Sequence, residues 1–202
     1  MAAHYDYLSF TLERGRWPAF TAHMRDVAAP AIASAGGEML GLFQGQLGFA
    51  STEAVMLLRW PARDRPREIG QAPGVVTMHP EILTPTVRPN NKAVLKKGGI
   101  YVHRWFSVDA DSVADFIALS NRAWENFEGS YETQIFGLFT AERTAEDLRQ
   151  GAGRLLLLTY YASHGVWEAS RDQTRDPQGL FVKRHALTRN TIGRSSLLIA
   201  PA

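Results

Sequence analysis

Cysteine is absent from the 202-residue sequence. This absence excludes a disulfide framework, thiolate catalysis and cysteine-based metal sites, and with them several secreted and redox classes of protein. A strong excess of one charge is also missing, because 22 Lys and Arg are balanced by 20 Asp and Glu. Since no basic run or patch stands out, we expect no nucleic-acid partner.

Long hydrophobic runs are missing as well. No stretch approaches the roughly eighteen apolar residues of a membrane span, and the N-terminal segment MAAHYDYLSF lacks the basic start and apolar run of a signal peptide. We therefore expect no membrane partner and a cytoplasmic location. The residues that are present, 45% hydrophobic and 21% charged, are typical of a globular protein with a normal core.

Two short segments of the chain nearly repeat each other. GLFQG begins at position 41 and GLFTA begins 96 positions later. Because the apolar spacing of the helical segment before each echo also coincides, the pattern predicts a tandem duplication. The same offset aligns five further identities: Tyr5 with Tyr101, Phe10 with Phe106, Phe20 with Phe116, Ala22 with Ala118, and Ser34 with Ser130.

Each copy shows the same order of predicted elements. An aromatic and β-branched first strand is followed by a helix, two more strands, a polar helical stretch and a last extended run. This β-α-β-β-α-β order defines a ferredoxin-like unit. We expect the first repeat at 1–90, a polar linker at 91–98 and the second repeat at 99–202, with the later helical stretches in ARDRPREIG and SHGVWEASRDQ.

A sheet of this kind has helices on one face only, so its other face needs a cover. The strands YVHRWFS and LLLLTYY carry large apolar side chains on both alternations, which a sheet facing solvent does not tolerate. The sequence therefore predicts an α+β fold in which two tandem ferredoxin-like repeats pack sheet to sheet, as a pseudo-twofold barrel with a central cavity. A homodimer is a further possibility.

Several segments of the second copy resemble the NIPSNAP family, a branch of the dimeric α/β-barrel superfamily. They are YVHRWFSV, the later GLF, the apolar third strand ending in an aromatic residue, and WEASRD followed by FVKRHALTRNT. The resemblance implies a dimeric α/β-barrel type of pseudo-dimer but little chemistry. The family's first strand usually carries an arginine where this sequence has Arg104. Leu8 holds the equivalent place in the first copy, which favours the second half as the functional one.

Strand alternation divides the candidate site residues between two faces of the sheet. Tyr101, His103 and Trp105 lie on one face and Arg104 on the other. We expect the first face to line the cavity between the sheets, with His103 titrating near neutral pH; the alternative is an interface filled by these side chains. The predicted catalytic residues are His103 and Arg104, and the predicted ligand-binding residues are Tyr7, Tyr101, Trp105 and Tyr160.

Two charged features can be interpreted either as functional groups or as ordinary structural ones. Arg104 can clamp a carboxylate through its planar guanidinium, or it can pair with an acid of the protein such as Glu132. His164 and Glu168 are four residues apart on a predicted helix, but no third metal ligand is evident. We therefore expect neither a metal nor another cofactor.

Three classes of function stay open at this point. The first is a protein that binds a small molecule, and the superfamily resemblance implies a cofactor-independent monooxygenase or isomerase as its enzymatic form. The second is a structural or interaction module with a filled barrel, and the third is a haem-binding protein. Familiar catalytic motifs are absent: GAGR at 151–154 precedes a strand rather than a helix, and no G-x-S-x-G, P-loop or H-E-x-x-H occurs.

Overall fold

The structure, a computed structural model, describes residues 4–60, 66–90, 93–172 and 179–200. Antiparallel strands and α-helices occur in the same chain, so the predicted α+β fold class is confirmed. The chain forms two compact units, Met1–Thr84 with Ser195–Ala202, and Pro85–Arg194. Among the described residues, no helix combines the length and the apolar character that crossing a bilayer requires.

The first unit contains a sheet with the strand order β4-β1-β3-β2, and the end of the last strand, β8, pairs with β2. This is the order of a ferredoxin-like unit. Its elements are β1 (His4–Leu12), α1 (Trp17–His23), α2 (Ala29–Ser34), β2 (Glu38–Gly45), β3 (Glu53–Trp60) and β4 (Val75–Pro85).

A π-helical turn, Met24–Ala28, joins α1 to α2. Pro30 lies in the first turn of α2. Because proline has no N–H, the regular hydrogen-bond ladder is interrupted here, next to the π turn. Phe20, Met24 and Ile32 are fully buried against the sheet. The helical segment thereby packs a continuous apolar stripe on β1 and β3.

The second unit has the strand order β8-β5-β7-β6. Its longest helix, α3, buries Phe116, Trp124 and Phe127 on one side. The elements are β5 (Ile100–Asp109), α3 (Val113–Ser130), β6 (Thr133–Ala141), α4 (Ala145–Arg149), β7 (Ala152–Tyr161), α5 (His164–Ala169), α6 (Leu180–Ala186) and the first part of β8 (Thr188–Ala200).

The GLF echo lies at an irregularity of the sheet in both units. The register of β2 against β3 shifts just before Gly41, and the register of β6 against β7 shifts just before Gly137. A β-bulge of this kind favours a residue without a side chain. At Gly137 the reason is steric, because an added Cβ would lie 2.5 Å from Cδ of Pro89.

Three elements differ from the sequence prediction. In ARDRPREIG, residues 61–65 lie outside the described residues, and the rest of the segment contains one 3-10 turn, Arg67–Ile69, instead of a longer helix. The segment AERTAEDLRQGAGR lies between the second and third strands of the second copy, where no helix was predicted, and it contains α4. Helix α6 was not predicted at all. The proposed boundaries at 90 and 99 stay predictions.

Helix α4 begins with a capping box. The Thr144 hydroxyl accepts a hydrogen bond from the Asp147 N–H, and the Asp147 carboxylate accepts one from the Thr144 N–H at 2.8 Å. The same carboxylate pairs with Arg154 at 2.8 Å. Burial alone raises the pKa of Asp147, but these hydrogen bonds and the Arg154 charge outweigh burial and hold it below its ordinary value.

We predict that Asp147→Asn removes part of the acid sensitivity of the fold. A carboxyl with a lowered folded pKa stabilises the fold above its unfolded pKa of about 4, and this stabilisation is lost as the pH falls through the folded pKa. The variant should lose about 1–2 kcal/mol of unfolding free energy at pH 7 and less at pH 3. Urea denaturation at both pH values measures the free energy of unfolding, with the exposed Glu125→Gln as control. A difference between Asp147→Asn and wild type that is the same at pH 7 and pH 3 would contradict the prediction.

Candidate functional site

A cavity of about 430 Å³ lies within the second unit, between the sheet and helices α3 and α6. Its wall is mostly apolar and aromatic, with a few polar groups, which is the usual character of a small-molecule site. The strands contribute Val102, Arg104, Phe106, Ile135, Leu157, Thr159 and Tyr161, and the helices contribute Trp124, Asn126, Phe127, Phe181, Val182, Arg184 and His185.

The α3 wall of the cavity is held by an ion pair behind it. The Arg88 guanidinium lies 5.2 Å from the ring centroid of Trp124. It is held there by Glu128, at 2.9 Å from both carboxylate oxygens. Glu128 also accepts a hydrogen bond from the Ile135 N–H at 2.7 Å. These contacts connect α3 to β6 and keep the Trp124 ring in place as a rigid wall.

Arg104 enters the cavity from β5. Its side chain is partly buried, and its guanidinium lies beside Gly193 of β8, where an added Cβ would be 3.6 Å from one of its nitrogens. Among the described residues, no carboxylate or other acceptor pairs with it. The expected pairing with Glu132 is therefore wrong, and the alternation that places Arg104 on the face opposite His103 is confirmed by the cavity wall.

The electrostatics of Arg104 depend on this position. Burial lowers the pKa of Arg104, and the positive charge of Arg171 lowers it further, while Tyr161 raises it. Arginine keeps its charge at any pH where the protein is folded, so the lowered pKa does not mean that the group is neutral. It means that the folded protein holds a cation in surroundings that compensate its charge poorly.

The other two arginines of the cavity wall are engaged with aromatic rings. The Arg184 guanidinium lies 5.0 Å from the ring centroid of Phe181 and 5.2 Å from that of Phe106. Arg171 lies at the exposed edge, 5.8 Å from the Trp167 ring, and donates a hydrogen bond to Ser170. Cation–π contacts of this kind fix both side chains in place. Arg104 is the arginine of the wall that has no such contact among the described residues.

Thr159 supplies a second polar group on the same face of the sheet. Arg104 pairs with Leu157 in the β5–β7 register, so Thr159 is the diagonal neighbour of Arg104. Its side chain is buried, lines the cavity and makes no hydrogen bond to a described residue. Because this hydroxyl opens onto the cavity, it can bond to a ligand or to water there.

The corresponding positions of the first unit are filled by apolar side chains. Leu8 pairs with Met56 as Arg104 pairs with Leu157, which identifies Leu8, Leu58 and Trp60 as the counterparts of Arg104, Thr159 and Tyr161. All three are at most 2% exposed and belong to the core. The ring of Trp60 packs directly on Gly37, where a Cβ would collide with it. One unit thus has a packed core where the other has a polar pair beside a cavity.

The remaining predicted site residues lie away from this cavity. Tyr101, His103 and Tyr160 are buried on the opposite face of the second sheet, Trp105 is partly buried there, and Tyr7 is buried in the first unit. The ring centroids of Tyr101 and Tyr160 lie 5.6 Å apart, and the Tyr101 hydroxyl donates a hydrogen bond to the Lys96 carbonyl at 2.8 Å. Burial raises the pKa of Tyr101, which keeps its hydroxyl protonated.

His103 does not titrate near neutral pH as we expected. It is completely buried, and burial together with the positive charge of Arg194 lowers its pKa to about 3. The imidazole is therefore neutral at physiological pH. A neutral imidazole can accept or donate a hydrogen bond, but it does not supply a proton as an acid. Its predicted catalytic role stays a prediction, restricted to the neutral form.

Sequence reasoning missed most of the cavity. Thr159 and Tyr161 stand in the quoted third strand, and their signal was the comparison with the first copy, where the same positions are apolar. Arg184 had no such signal because α6 was not predicted. His164 and Glu168 lie on α5 as expected, and among the described residues no group of three or more His, Asp or Glu is arranged to hold a metal ion.

The fold places the protein in a class of known architecture. No family model matches the sequence, and no curated protein matches it. Solved structures do match over nearly the whole chain. Among them are "putative monooxygenases" and a ferredoxin fold protein related to antibiotic biosynthesis monooxygenases, and the likeness confirms the predicted ferredoxin-like fold.

Three of these structures illustrate the likeness. A "putative monooxygenase" from Lactobacillus acidophilus is similar with a TM-score of 0.64 and 7% identity, covering 98% of this chain and 94% of that one. A protein of the same description from Fusobacterium nucleatum has a TM-score of 0.66 and 9% identity, covering 98% and 93%. A ferredoxin fold protein related to antibiotic biosynthesis monooxygenases, from Listeria monocytogenes, has a TM-score of 0.54 and 7% identity, covering 99% and 96%. At these identities the likeness shows the fold alone.

We predict that Arg104→Leu, which introduces the residue of the first unit, raises the free energy of unfolding by about 1 kcal/mol, because an apolar side chain replaces a poorly compensated cation. Urea denaturation at pH 7 measures the change. The control Arg122→Leu removes an exposed arginine of α3 and should stay within about 0.5 kcal/mol of wild type. A loss of stability in Arg104→Leu beyond that of the control would show that Arg104 is paired within the protein.

Proposed function

We propose that the protein binds a small organic molecule in the cavity of the second unit. The observation that carries the proposal is the polar pair of Arg104 and Thr159, which faces a 430 Å³ cavity and has no partner among the described residues. A volume of this size is in the range of about 300–1,000 Å³ that small-molecule sites occupy. The expected cavity between the two sheets is a separate hypothesis that this proposal does not need.

The energetics support a ligand rather than a structural role. A buried polar group without a hydrogen bond costs free energy, and the first unit shows that the same fold accepts apolar residues at these positions. The polar pair therefore contributes nothing evident to folding. A bound molecule that accepts hydrogen bonds from the guanidinium and the hydroxyl recovers the lost free energy, which makes binding the function that best accounts for the pair.

The apolar wall defines what the rest of the ligand must be. Phe106, Phe127 and Leu157 are each at most 7% exposed and line the cavity. Contact with aromatic and aliphatic side chains favours a ligand with a flat or aliphatic body, since burial of apolar area gives most of the affinity of such sites. The Arg88–Glu128 pair behind Trp124 makes the site largely pre-formed.

We predict that a cavity-filling variant loses this binding. The double substitution Thr159→Leu and Tyr161→Trp, which introduces the residues of the first unit, should weaken binding of the neutral dye N-phenyl-1-naphthylamine at least tenfold in a fluorescence titration. Thr77→Leu on β4 makes the same chemical change outside the cavity and should leave the affinity unchanged. Equal dye affinity in the double variant and wild type would place the site elsewhere, with the face of Tyr101, His103 and Trp105 as the next candidate.

A second candidate function is cofactor-independent monooxygenation in the same cavity. The names of the two "putative monooxygenases" among the structural neighbours favour it, and another neighbour is called an anthrone oxidase-like protein. Oxidation of anthrone to anthraquinone consumes one O₂ and releases one water. In its first step anthrone gives up a proton to solvent, and a guanidinium stabilises the anion that remains. An oxygen electrode with anthrone and a chelator tests it: uptake above the uncatalysed rate that falls at least tenfold in Arg104→Leu is expected. Uptake at the uncatalysed rate would reject the activity and leave binding as the function.

The finer predictions made from the sequence belong to the same proposal. We propose membership of the NIPSNAP family on the segments quoted above, and a homodimer in solution, which light scattering measures. His103 is proposed as a neutral hydrogen-bonding group, and Tyr7, Tyr101, Trp105 and Tyr160 are proposed as ligand-binding residues.

A further inference from the structure

The charges that face the cavity are unequal in number. Three arginines, Arg104, Arg171 and Arg184, line it, and Asp172 is the carboxylate among the lining residues. Arg171 and Asp172 lie at the exposed edge, whereas Arg104 is partly buried deeper along β5. Positive charge therefore predominates inside the cavity, where it is screened less by solvent than at the surface.

Arg104 is the cation of this set that a ligand can engage without breaking an existing contact. Arg184 is stacked among Phe106, Phe116 and Phe181, with centroid distances of 5.0 to 5.5 Å. The Arg104 guanidinium makes no ion pair, hydrogen bond or cation–π contact with a described residue. Its pKa is lowered by burial and by Arg171, so a negative charge brought next to it would be stabilised by both arginines.

The shape of the polar pair favours one kind of anion. A guanidinium presents two parallel N–H donors, which match the two oxygens of a carboxylate in a planar fork. The Thr159 hydroxyl, diagonal to Arg104 on the same face, adds one donor or acceptor. Phe106, Phe127 and Leu157, which also line the cavity, offer only apolar contact.

We propose that the ligand of the cavity is an aromatic carboxylic acid, whose carboxylate pairs with Arg104 and whose ring lies among Phe106, Phe127 and Leu157. This inference rests on the proposed binding function and specifies its ligand class. The anion supplies the charge partner that Arg104 lacks within the described residues, and the Thr159 hydroxyl bonds to the same carboxylate.

Isothermal titration calorimetry of the 202-residue protein with 2-naphthoate and with 2-naphthamide tests the inference, since the two probes differ in charge and hardly in shape. We expect wild type to bind the acid at least tenfold more tightly than the amide. In Arg104→Leu the acid should lose at least tenfold and the amide less than threefold, while Arg122→Leu should bind both as wild type does. Arg104→Lys keeps the positive charge and loses the planar pair of donors. Its affinity for the acid should lie between those of wild type and Arg104→Leu.

The outcomes separate this inference from the function on which it rests. Amide and acid binding with equal affinity, both lost in the cavity-filling double variant, would overturn the carboxylate and leave small-molecule binding intact. Tighter binding of 2-naphthyl phosphate than of 2-naphthoate would show that the site prefers a phosphate, and it would overturn the proposed ligand class of aromatic carboxylic acids. Binding of neither probe, with no dye bound to the cavity, would reject the binding function itself and the inference with it.

Discussion

A guanidinium that pairs with no carboxylate in the described part of the chain is the constraint on which the proposed function rests. Arg104 projects from a central strand into a cavity, where burial and a second arginine both disfavour its charge. Proteins tolerate such groups where they serve binding or chemistry, because an uncompensated cation lowers stability. We interpret the apolar walls, the diagonal threonine and the rigid Trp124 wall as parts of the proposed site around that one charge.

The two units provide an internal comparison. They share the strand order of a ferredoxin-like unit and the bulge before the GLF segment, yet one has Leu8, Leu58 and Trp60 in its core at the positions where the other has Arg104, Thr159 and Tyr161. A fold that accepts either set does not require the polar one. The difference between the units supports the proposal that the second unit carries the site.

The sequence allowed much of the fold to be predicted because its signals were local or periodic. A fixed offset aligned the copies, and the alternation of β5 placed Arg104 and His103 on opposite faces. The cavity depends instead on α6. Its segment, LFVKRHA, is short and charged and shows no strong helical pattern. Sequence could not show that His103 is neutral either, since its lowered pKa arises from complete burial and from Arg194, 91 positions along the chain.

The most direct measurement of the central claim is a crystal structure of the protein soaked with 2-naphthoate. The account predicts a carboxylate within hydrogen-bond distance of the Arg104 guanidinium, with the naphthyl ring between β5, β7 and α3. A structure in which Arg104 instead pairs with a carboxylate of the protein, and the cavity is filled by side chains, would contradict it.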